Sequence, residues 1–341
     1  AEALRFCQVA YLDTVFLVLI SSWWITTKGV GRGMRIIGID IGGTKCAVVS
    51  AAITGSIKHR IKFATETDKG LKYTLGRLYE AVDELLYRDP RLRNEPVFGI
   101  SCGGPLDSRR GEVLSPPNLP GWDHAPIVSL LTERYGGQAF LMNDANASAL
   151  AEWHFGAARG YRNVIFLTFG TGLGAGLILD GRLYIGTNDL AGEAGHIRLA
   201  ETGPLGYGKA GSFEGFCSGG GIARMVQQEV KEAWQRGDSV NFCPTPLCLE
   251  ELDAKLVAKA ARDGDSLAKE IMNQSAFYLG RGLSILIDLL NPEIIVIGSI
   301  YARCEDLLRP GALEVIAQEA LPGAVNRCRI VPAALGESIG D

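Results

Sequence analysis

A glycine-rich turn directly after an apolar run indicates a phosphate-binding backbone near residue 40. The turn reads Asp40-Ile-Gly-Gly-Thr-Lys45. Gly42 and Gly43 lack a Cβ, so their backbone N–H groups can approach an anion closely. Thr44 adds a hydroxyl donor and Lys45 a positive charge, and Asp40 at the strand end could hold Mg²⁺ through water. An ordinary hairpin turn with two glycines would look the same, so this turn alone does not decide the function.

A second turn with the same chemistry follows more than a hundred residues later. It reads Thr168-Phe-Gly-Thr-Gly-Leu-Gly174, with Gly170, Thr171 and Gly172 at its centre. It matches neither the P-loop pattern nor a dinucleotide-binding turn, because each of these two turns joins a strand to another strand. Two such turns facing each other could hold the phosphates of a nucleotide from both sides.

A carboxylate at a predicted strand-to-helix junction is the candidate general base. The segment reads Met142-Asn-Asp-Ala-Asn146, which places Asp144 at the junction. Phosphoryl transfer to an alcohol requires a base near the acceptor hydroxyl. Aspartate is also a common helix N-cap, and the two roles are compatible at one position.

Several further polar side chains are of the kind that bind sugar hydroxyls. Each alone could equally be an ordinary surface residue, or a core residue in the case of Trp122. The candidates are Asn118 and Trp122 in Asn-Leu-Pro-Gly-Trp, Glu193 and His196 in Gly-Glu-Ala-Gly-His, and Glu214.

The elements around these residues alternate between strands and helices, which favours an α/β fold. A strand-turn-strand-turn-strand unit with a glycine-rich first turn occurs twice. The pattern predicts strands at 35–40, 46–52, 57–63, 97–103, 139–143, 163–169, 175–179, 182–185, 294–298 and 328–332. It predicts helices at 71–88, 145–156, 216–236, 249–262, 266–290 and 304–320. The duplication indicates two similar halves around a cleft.

The order of these motifs resembles the ROK family, which groups repressors, open reading frames and sugar kinases. The resemblance covers the chain from about residue 34 and rests on six motifs. They are 40–45 (DIGGTK), 118–122 (NLPGW), 143–147 (NDANA), 169–176 (FGTGLGAG), 192–196 (GEAGH) and 291–298 (NPEIIVIG). The resemblance implies the actin-like ATPase (ribonuclease H-like) fold with two lobes and a central cleft.

The resemblance also implies a role for each candidate residue. Asp144 would be the catalytic base, and many members of the family form homodimers that use ATP and Mg²⁺. The hexose would be bound by Asn143, Glu193, His196 and Glu214, with Asn118 nearby. ATP would be bound by Asp40, Gly42, Gly43, Thr44, Lys45, Gly170, Thr171 and Gly172, with Gly298 near the adenosine and Asp40 holding Mg²⁺ through water.

Two departures from the family pattern affect these expectations. Many members carry a cysteine-rich zinc site after the Gly-His motif, but residues 203–214 contain no cysteine here, so we predict no zinc. Glycines and Phe213 are expected to organise this loop instead. The sequence also ends at Asp341, before the position where family members continue into a final helix packed on the N-terminal lobe.

Composition and charge argue against some classes of partner. The formal net charge is −4, which gives no bulk attraction to nucleic acid or to an anionic membrane. The eight cysteines are scattered and none is in C-x-x-C spacing, so we expect reduced thiols in a cytoplasmic protein, although Cys243 and Cys248 lie close enough in sequence to be oxidised.

The first 33 residues differ from the rest of the chain. Their apolar run at 15–25 is shorter than the ~20 residues of a membrane span, and it lacks the flanks of a signal peptide. We expect residues 1–33 to be an extension outside the fold, with Met34 as the natural start. The predicted N-terminal lobe is 34–144 and the predicted C-terminal lobe is 145–341, whose closing segment after about residue 328 could return to the first lobe.

The combined prediction is an ATP-dependent hexose kinase acting on a primary hydroxyl, with C6 of glucose as the leading acceptor. N-acetylhexosamines, fructose, mannose and allose remain open as substrates. A repressor is disfavoured because 33 residues are too few for a helix-turn-helix domain and lack a basic recognition face. A sugar sensor without catalysis is disfavoured because sugar binding alone does not require Asp144.

Overall fold

Two five-stranded sheets form the framework of residues 35–336, the part of the chain described by this computed structural model. The strands are β1 (Arg35–Ile41), β2 (Lys45–Ala52), β3 (Ile57–Ala64), β4 (Val97–Cys102), β5 (Leu106–Asp107), β6 (Glu112–Val113), β7 (Gln138–Asn143), β8 (Val164–Leu167), β9 (Ala175–Leu179), β10 (Arg182–Tyr184), β11 (Leu205–Gly206), β12 (Lys209–Ala210), β13 (Ile294–Ile297) and β14 (Arg329–Pro332).

The two large sheets have the same topology. In the order β3-β2-β1-β4-β7, strand β1 is antiparallel to β2 and parallel to β4, which is parallel to β7. In the order β10-β9-β8-β13-β14, strand β8 is antiparallel to β9 and parallel to β13, which is parallel to β14. This duplication confirms the α/β actin-like ATPase (ribonuclease H-like) fold, with one glycine-rich turn between the first two strands of each sheet.

The helices cover the sheets. They are α1 (Gly70–Arg88), α2 (Ile127–Tyr135), α3 (Asp144–Phe155), α4 (Phe213–Phe216), α5 (Gly219–Gln235), α6 (Ala254–Arg262), α7 (Ser266–Leu290), α8 (Ile300–Glu319) and α9 (Pro322–Val325), with single 3₁₀ turns at Thr67–Lys69, Pro90–Leu92, Ala194–His196 and Pro246–Glu251. Within residues 35–336, none of these helices has the length and apolar character needed to cross a membrane.

Each sheet has its own hydrophobic core. Strand β1 contributes Ile37 and Ile39, both fully buried, to a first core that also contains Leu85 and Trp122. The second core lies between β8, β9 and the long helices α5, α7 and α8. Because each half buries its own apolar face, the chain forms two lobes; the boundary between 144 and 145 remains a prediction.

The structure departs from the sequence-based helices where serine caps interrupt the chain. The predicted helix 216–236 corresponds to α5, which begins only at Gly219, because Ser218 caps it by accepting a hydrogen bond from the Gly221 amide. A separate short helix, α4, precedes it and is capped in the same way by Ser212, which accepts from the Gly215 amide. The predicted helix 249–262 begins with a 3₁₀ turn and becomes α6 only after the Asp253 cap. Helix α2 was not predicted at all, because its nine residues show only a weak period.

The cysteine expectation was wrong at one pair. Cys243 and Cys248 are joined by a disulfide, whereas Cys46, Cys102, Cys217, Cys304 and Cys328 are free. Both partners lie in a proline-containing loop that brings their Cα atoms to 5.6 Å, within the range that a disulfide requires. The predicted extension 1–33, its proposed start at Met34 and the end of the chain after residue 336 lie outside the described residues.

Phe213 anchors the second core and provides a test of it. Its side chain is fully buried, and ring atoms approach to 2.3 Å of the position that a Cβ on Gly282 of α7 would occupy. Phe213→Ala should lower the free energy of unfolding by about 3–5 kcal/mol, because it leaves a large cavity. Denaturant unfolding followed by circular dichroism would measure the change.

Phe277→Ala is the matched control, because Phe277 is 45% exposed on α7. It should change the free energy of unfolding far less than Phe213→Ala. Equal losses for both variants would show that Phe213 is not a core anchor.

Candidate active site

The first glycine-rich turn is held by hydrogen bonds from the neighbouring strand. The Gly42 amide donates to the Lys45 carbonyl at 3.1 Å, closing the turn between β1 and β2. The Thr65 hydroxyl donates to the Gly42 carbonyl at 2.6 Å, and the Thr65 amide donates to the Thr44 carbonyl at 3.0 Å. The turn is therefore pinned through its carbonyl oxygens.

The second turn is pinned in the same way by the start of helix α5. The amide of Gly219 donates to the Gly170 carbonyl at 2.7 Å, and that of Gly220 donates to the Thr171 carbonyl at 3.2 Å. Within the turn, the Gly170 amide donates to the Gly172 carbonyl at 3.1 Å. The amino end of a seventeen-residue helix thus lies against this turn and adds positive potential to it.

The central amides of both turns have no acceptor. Within residues 35–336, the backbone N–H groups of Gly43, Thr44, Thr171 and Gly172 donate to no protein atom. Backbone donors left over at glycine-rich turns form the kind of concave site that binds anions. These four amides are available for the predicted phosphate contacts, whereas the amides of Gly42 and Gly170 are already engaged within their turns.

Asp144 lies at the start of helix α3, between the two sheets. Asn143 is the N-cap of α3, and its Oδ1 accepts from the Ala145 amide at 2.9 Å. The Asp144 Oδ1 accepts from the same amide at 2.8 Å, so the cap and the candidate base are adjacent residues. A Cβ on Gly176 of β9 would lie 2.4 Å from the Ala145 carbonyl oxygen, so the absence of a side chain there lets α3 pack directly on the second sheet.

Asn118 approaches the same place from the first lobe. A Cβ on Gly43 would lie 2.6 Å from the Asn118 carbonyl oxygen, so Asn118 packs on the first glycine-rich turn. The Cβ position of Gly103 lies 3.7 Å from Asn118 Nδ2 and 4.0 Å from Asp144 Oδ2. Asn143 Nδ2 is similarly close to Gly104, at 3.2 Å from its Cβ position. Asn118, Asn143 and Asp144 therefore surround one short glycine pair.

Glu214 contacts the second glycine-rich turn. Its Oε2 accepts from the Leu173 amide at 3.0 Å and lies 2.7 Å from the position of a Cβ on Gly172. Its Cβ lies 3.2 Å from the Cβ position of Gly195, in the Gly-Glu-Ala-Gly-His segment. Glu214 thus connects the predicted phosphate turn to the segment that carries Glu193.

Burial raises the pKa values of three carboxylates in the cleft, and neighbouring negative charge adds to the effect at Asp40 and Glu193. Burial, then the negative charge of Asp144, raises the pKa of Asp40 to about 7, against the lowering effects of a hydrogen bond to Ser101 and of Lys45 and Lys62. The Asp144 side chain is open to the cleft but lies deep between the lobes. The surrounding protein removes part of its hydration, which raises its pKa. Burial, then the charges of Asp144 and Glu214, raises the pKa of Glu193. The four carboxylates concentrate negative charge that a divalent cation would relieve.

The donors present suit a hydrated Mg²⁺ better than a fully protein-bound metal. Among residues 35–336, no three His, Cys, Asp or Glu side chains lie close enough together to hold a metal ion by themselves. Mg²⁺ characteristically keeps several waters and binds through one or two carboxylates plus phosphate oxygens. Asp40, at a strand end beside the free amides of the first turn, fits that role.

Residues 203–214, where the family's cysteine-rich site would lie, fold as a small hairpin. Strands β11 and β12 pair across Tyr207 and Gly208, which both have positive φ. The Lys209 Nζ donates to the His196 carbonyl at 2.7 Å, and Phe213 is buried beneath the hairpin. Glycine turns and Phe213 thus order the loop, as the sequence indicated.

Three predicted positions have a different environment from the rest. His196 is exposed, with its ring edge-on to Tyr207 at 6.2 Å, and no described contact joins it to the carboxylates. Gly298 is buried at the end of β13, where its amide donates to the Leu167 carbonyl at 2.9 Å. Trp122 is 1% exposed in the first core, so it is a core residue and does not cover a sugar ring.

Sequence reasoning missed the polar neighbours of Asp40. Ser101 is paired with Asp40 across β1 and β4, and it hydrogen-bonds to that carboxyl. Lys62 lies on β3 opposite Ala47, which is itself opposite Asp40. These side chains share one face of the sheet, and only the strand register, which the sequence does not show, identifies them.

A third missed residue, Ser299, follows Gly298 and has a buried hydroxyl without a partner in residues 35–336.

The chain is similar to known proteins along most of its length. The sequence profile of the ROK family matches residues 36–340. A glucokinase of Thermotoga maritima is 31% identical over 90% of this chain and 95% of its own length. The DNA-binding transcriptional dual regulator NagC of Escherichia coli is 30% identical over 68% of this chain and 55% of its own length. A ROK family glucokinase of Streptomyces griseus, solved with glucose and AMPPNP, superposes with a TM-score of 0.72 at 28% identity, covering 90% and 96% of the two chains.

Two glycines of the second turn offer a direct test of the Glu214 contact. Gly172→Ala should displace the Glu214 carboxylate, because the new Cβ would lie 2.7 Å from Oε2. We expect at least one of two dissociation constants, that for AMPPNP or that for glucose, to rise about tenfold, equivalent to ~1.4 kcal/mol. Isothermal titration calorimetry would measure both.

Gly174→Ala is the matched control in the same turn. Its new Cβ would meet only ordinary contacts, at 3.6 Å from the Ala145 Cβ and 3.7 Å from the Thr168 hydroxyl. Both dissociation constants should stay near the unsubstituted values. If the two variants bound both ligands equally well, the close Glu214 contact would have no role in binding.

Proposed function

Because this chain belongs to the ROK family, we propose that it is an ATP-dependent hexose kinase that transfers the γ-phosphate of ATP to a sugar hydroxyl. The observation that carries the proposal is the position of Asp144. This carboxylate has a raised pKa and lies between Gly103 and Asn118 on one side and the second glycine-rich turn on the other. If the two glycine-rich turns hold the phosphates of ATP, a base in this position lies close to both ATP and the hexose.

The proposed reaction is a direct in-line transfer. The free amides of Gly43, Thr44, Thr171 and Gly172 would hold the phosphates, and Gly298 would lie near the adenosine. Asp144 would accept the proton of the attacking hydroxyl as the bond to phosphorus forms and the bond to ADP breaks. Its raised pKa makes it a stronger proton acceptor than an ordinary aspartate.

The hexose would lie between Asn118, Asn143, Glu193 and Glu214, with His196 at the outer rim. Asn143 Oδ1 caps α3, so its Nδ2 is the group left for a sugar hydroxyl. We propose the primary hydroxyl, at C6 of glucose, as the acceptor. N-acetylhexosamines and fructose are the alternative substrates, since only a few contacts to hydroxyl or acetamido groups would distinguish them from glucose.

Magnesium would be held by Asp40 through water. When bound, it would supply positive charge that stabilises the negative charge developing during phosphoryl transfer. Lys45 and Lys62 lie close enough to Asp40 to affect its pKa, so they would add positive charge on the same side.

We further propose that the protein is a cytoplasmic homodimer. Size-exclusion chromatography with light scattering would measure its oligomeric state.

A sugar-responsive regulator is the second candidate, because NagC is among the relatives. ATP turnover separates the two functions. Coupled ADP release with Mg-ATP should be measured across a panel of hexoses, beginning with glucose. Turnover with one hexose far above the others supports the kinase and identifies its substrate. A hexose that raises the melting temperature without raising ADP release would favour the regulator.

Asp144→Asn tests the catalytic base. We expect kcat to fall about 10²–10⁴-fold, because the amide cannot accept the hydroxyl proton. Hexose binding and the melting temperature should change little, because the asparagine keeps the shape and the hydrogen bond to the Ala145 amide. Steady-state kinetics with glucose and Mg-ATP would measure the change.

Asp83→Asn is the control for Asp144→Asn, since Asp83 pairs with Arg134 on the surface of the first lobe. It should keep full activity. Near-normal turnover by Asp144→Asn would remove Asp144 from the role of base and leave the proposed chemistry without one.

Asp40→Asn tests the magnesium site. The Mg²⁺ concentration for half-maximal rate should rise about tenfold, because the amide gives up the charge that orients the hydrated ion. Binding of glucose in the absence of nucleotide should stay unchanged. An unchanged Mg²⁺ requirement would place the ion elsewhere in the cleft.

A further inference from the structure

A bidentate hydrogen bond joins the two lobes outside the residues assigned so far. The Ser108 amide donates to Asp189 Oδ2 at 2.8 Å, and the Ser108 hydroxyl donates to Asp189 Oδ1 at 2.8 Å. Both side chains are half-buried. Hydrogen bonds to a charged acceptor are about twice as strong as neutral ones, and two parallel bonds also fix orientation. The pair is therefore more than an incidental surface contact.

The two partners belong to opposite lobes. Ser108 follows β5 in the small hairpin whose Leu106 and Val113 are buried in the first core. Asp189 lies in the loop after β10, which belongs to the second sheet. The contact thus crosses from one lobe to the other.

Both partners are held in place by their own loops. The Asp107 Oδ1 accepts from the amides of Arg109 and Arg110 at 3.0 Å and 2.9 Å, which shapes the turn that presents Ser108. Asp189 has a left-handed φ of 61°, and the Ala191 amide closes its loop by donating to the Ile185 carbonyl at 3.2 Å. Left-handed backbone is uncommon for a residue with a side chain. Here it aims the carboxylate at Ser108.

Each partner is continuous with a segment of the proposed hexose site. On the first lobe, the Leu114 amide donates to the Pro105 carbonyl at 2.9 Å and so connects the Ser108 hairpin to Gly103 and Gly104, which face Asn118 and Asn143. On the second lobe, the loop of Asp189 runs directly into Glu193. A change in the Ser108–Asp189 contact would therefore change the distance between the two sides of the sugar site.

We propose that Asp189 is a positioning residue that, through Ser108, holds the lobes closed over the hexose and thereby sets hexose affinity. The proposal rests on the proposed kinase function for the identity of the ligand. A closed cleft also excludes water from the transferred phosphate. Loss of the contact should weaken hexose binding and increase ATP hydrolysis relative to sugar phosphorylation.

Asp189→Asn and Ser108→Ala, alone and combined, test the contact with the full chain. Asparagine tolerates left-handed backbone, so Asp189→Asn removes the charge and one acceptor without adding strain. It should raise the dissociation constant and KM for glucose about tenfold, with kcat at saturating glucose changed less than twofold. Ser108→Ala keeps the amide donor and should have a smaller effect. The double variant should be no worse than Asp189→Asn, because both changes act on one contact.

Asp180→Asn is the matched control. Asp180 also has a left-handed φ, of 52°, but it pairs with Arg162 inside the second lobe. Its glucose KM should equal that of the unsubstituted protein. A glucose KM for Asp189→Asn within twofold of that value, or additive effects of the two single changes, would overturn the proposal.

Hydrogen exchange distinguishes failure of the contact from failure of the proposed function. Without any ligand, the amides of 105–115 and 186–193 should exchange faster in Asp189→Asn than in Asp180→Asn. If no hexose of the panel binds to the unsubstituted chain or is phosphorylated by it, the proposed function fails and the positioning role for the hexose fails with it. Normal glucose turnover with unchanged exchange in Asp189→Asn would overturn the positioning role alone.

Discussion

The packing of helix α3 on strand β9 is the contact on which the rest of the site depends. Ala145 and Ala149 of α3 approach Gly176 so closely that any side chain at that position would collide with backbone. Because α3 begins directly after the last residue of β7, this approach fixes the end of the first sheet against the second sheet. Asp144 is thereby placed at the meeting point of both lobes. A larger residue in either element would move the carboxylate away from the second turn.

The electrostatics of the cleft follow from this placement. Asp40 lies on β1 and Asp144 begins α3, whereas Glu193 comes from the second lobe, and burial in the cleft removes water from each of these three carboxylates. The resulting shifts all favour the protonated, uncharged forms. At Asp40, the two nearby lysines and Ser101 act in the opposite direction. A cation and a polyphosphate in this cleft would relieve the accumulated negative charge, which is what the proposed phosphoryl transfer would use.

The loop at 203–214 is ordered by local packing and hydrogen bonds. The hairpin of β11 and β12 places Lys209 on the His196 carbonyl, and the Ser212 cap begins the short helix that carries Glu214. Phe213 fixes that helix in the second core. The orientation of Glu214 therefore depends on hydrophobic burial and on backbone hydrogen bonds, both of which act without an ion.

The sequence alone determined the fold class, the two glycine-rich turns and the candidate base, because those features depend on local signals: apolar runs, glycine clusters and a carboxylate at a strand end. It also indicated that Phe213 orders its loop. It did not determine that Trp122 is a core residue, that Ser101 and Lys62 border Asp40, or that Ser108 and Asp189 meet across the lobes. Those relations arise from strand register and from packing between segments distant in sequence, which have no local pattern. Only the tertiary structure decides them, because each contact forms only when folding has brought both of its partners together.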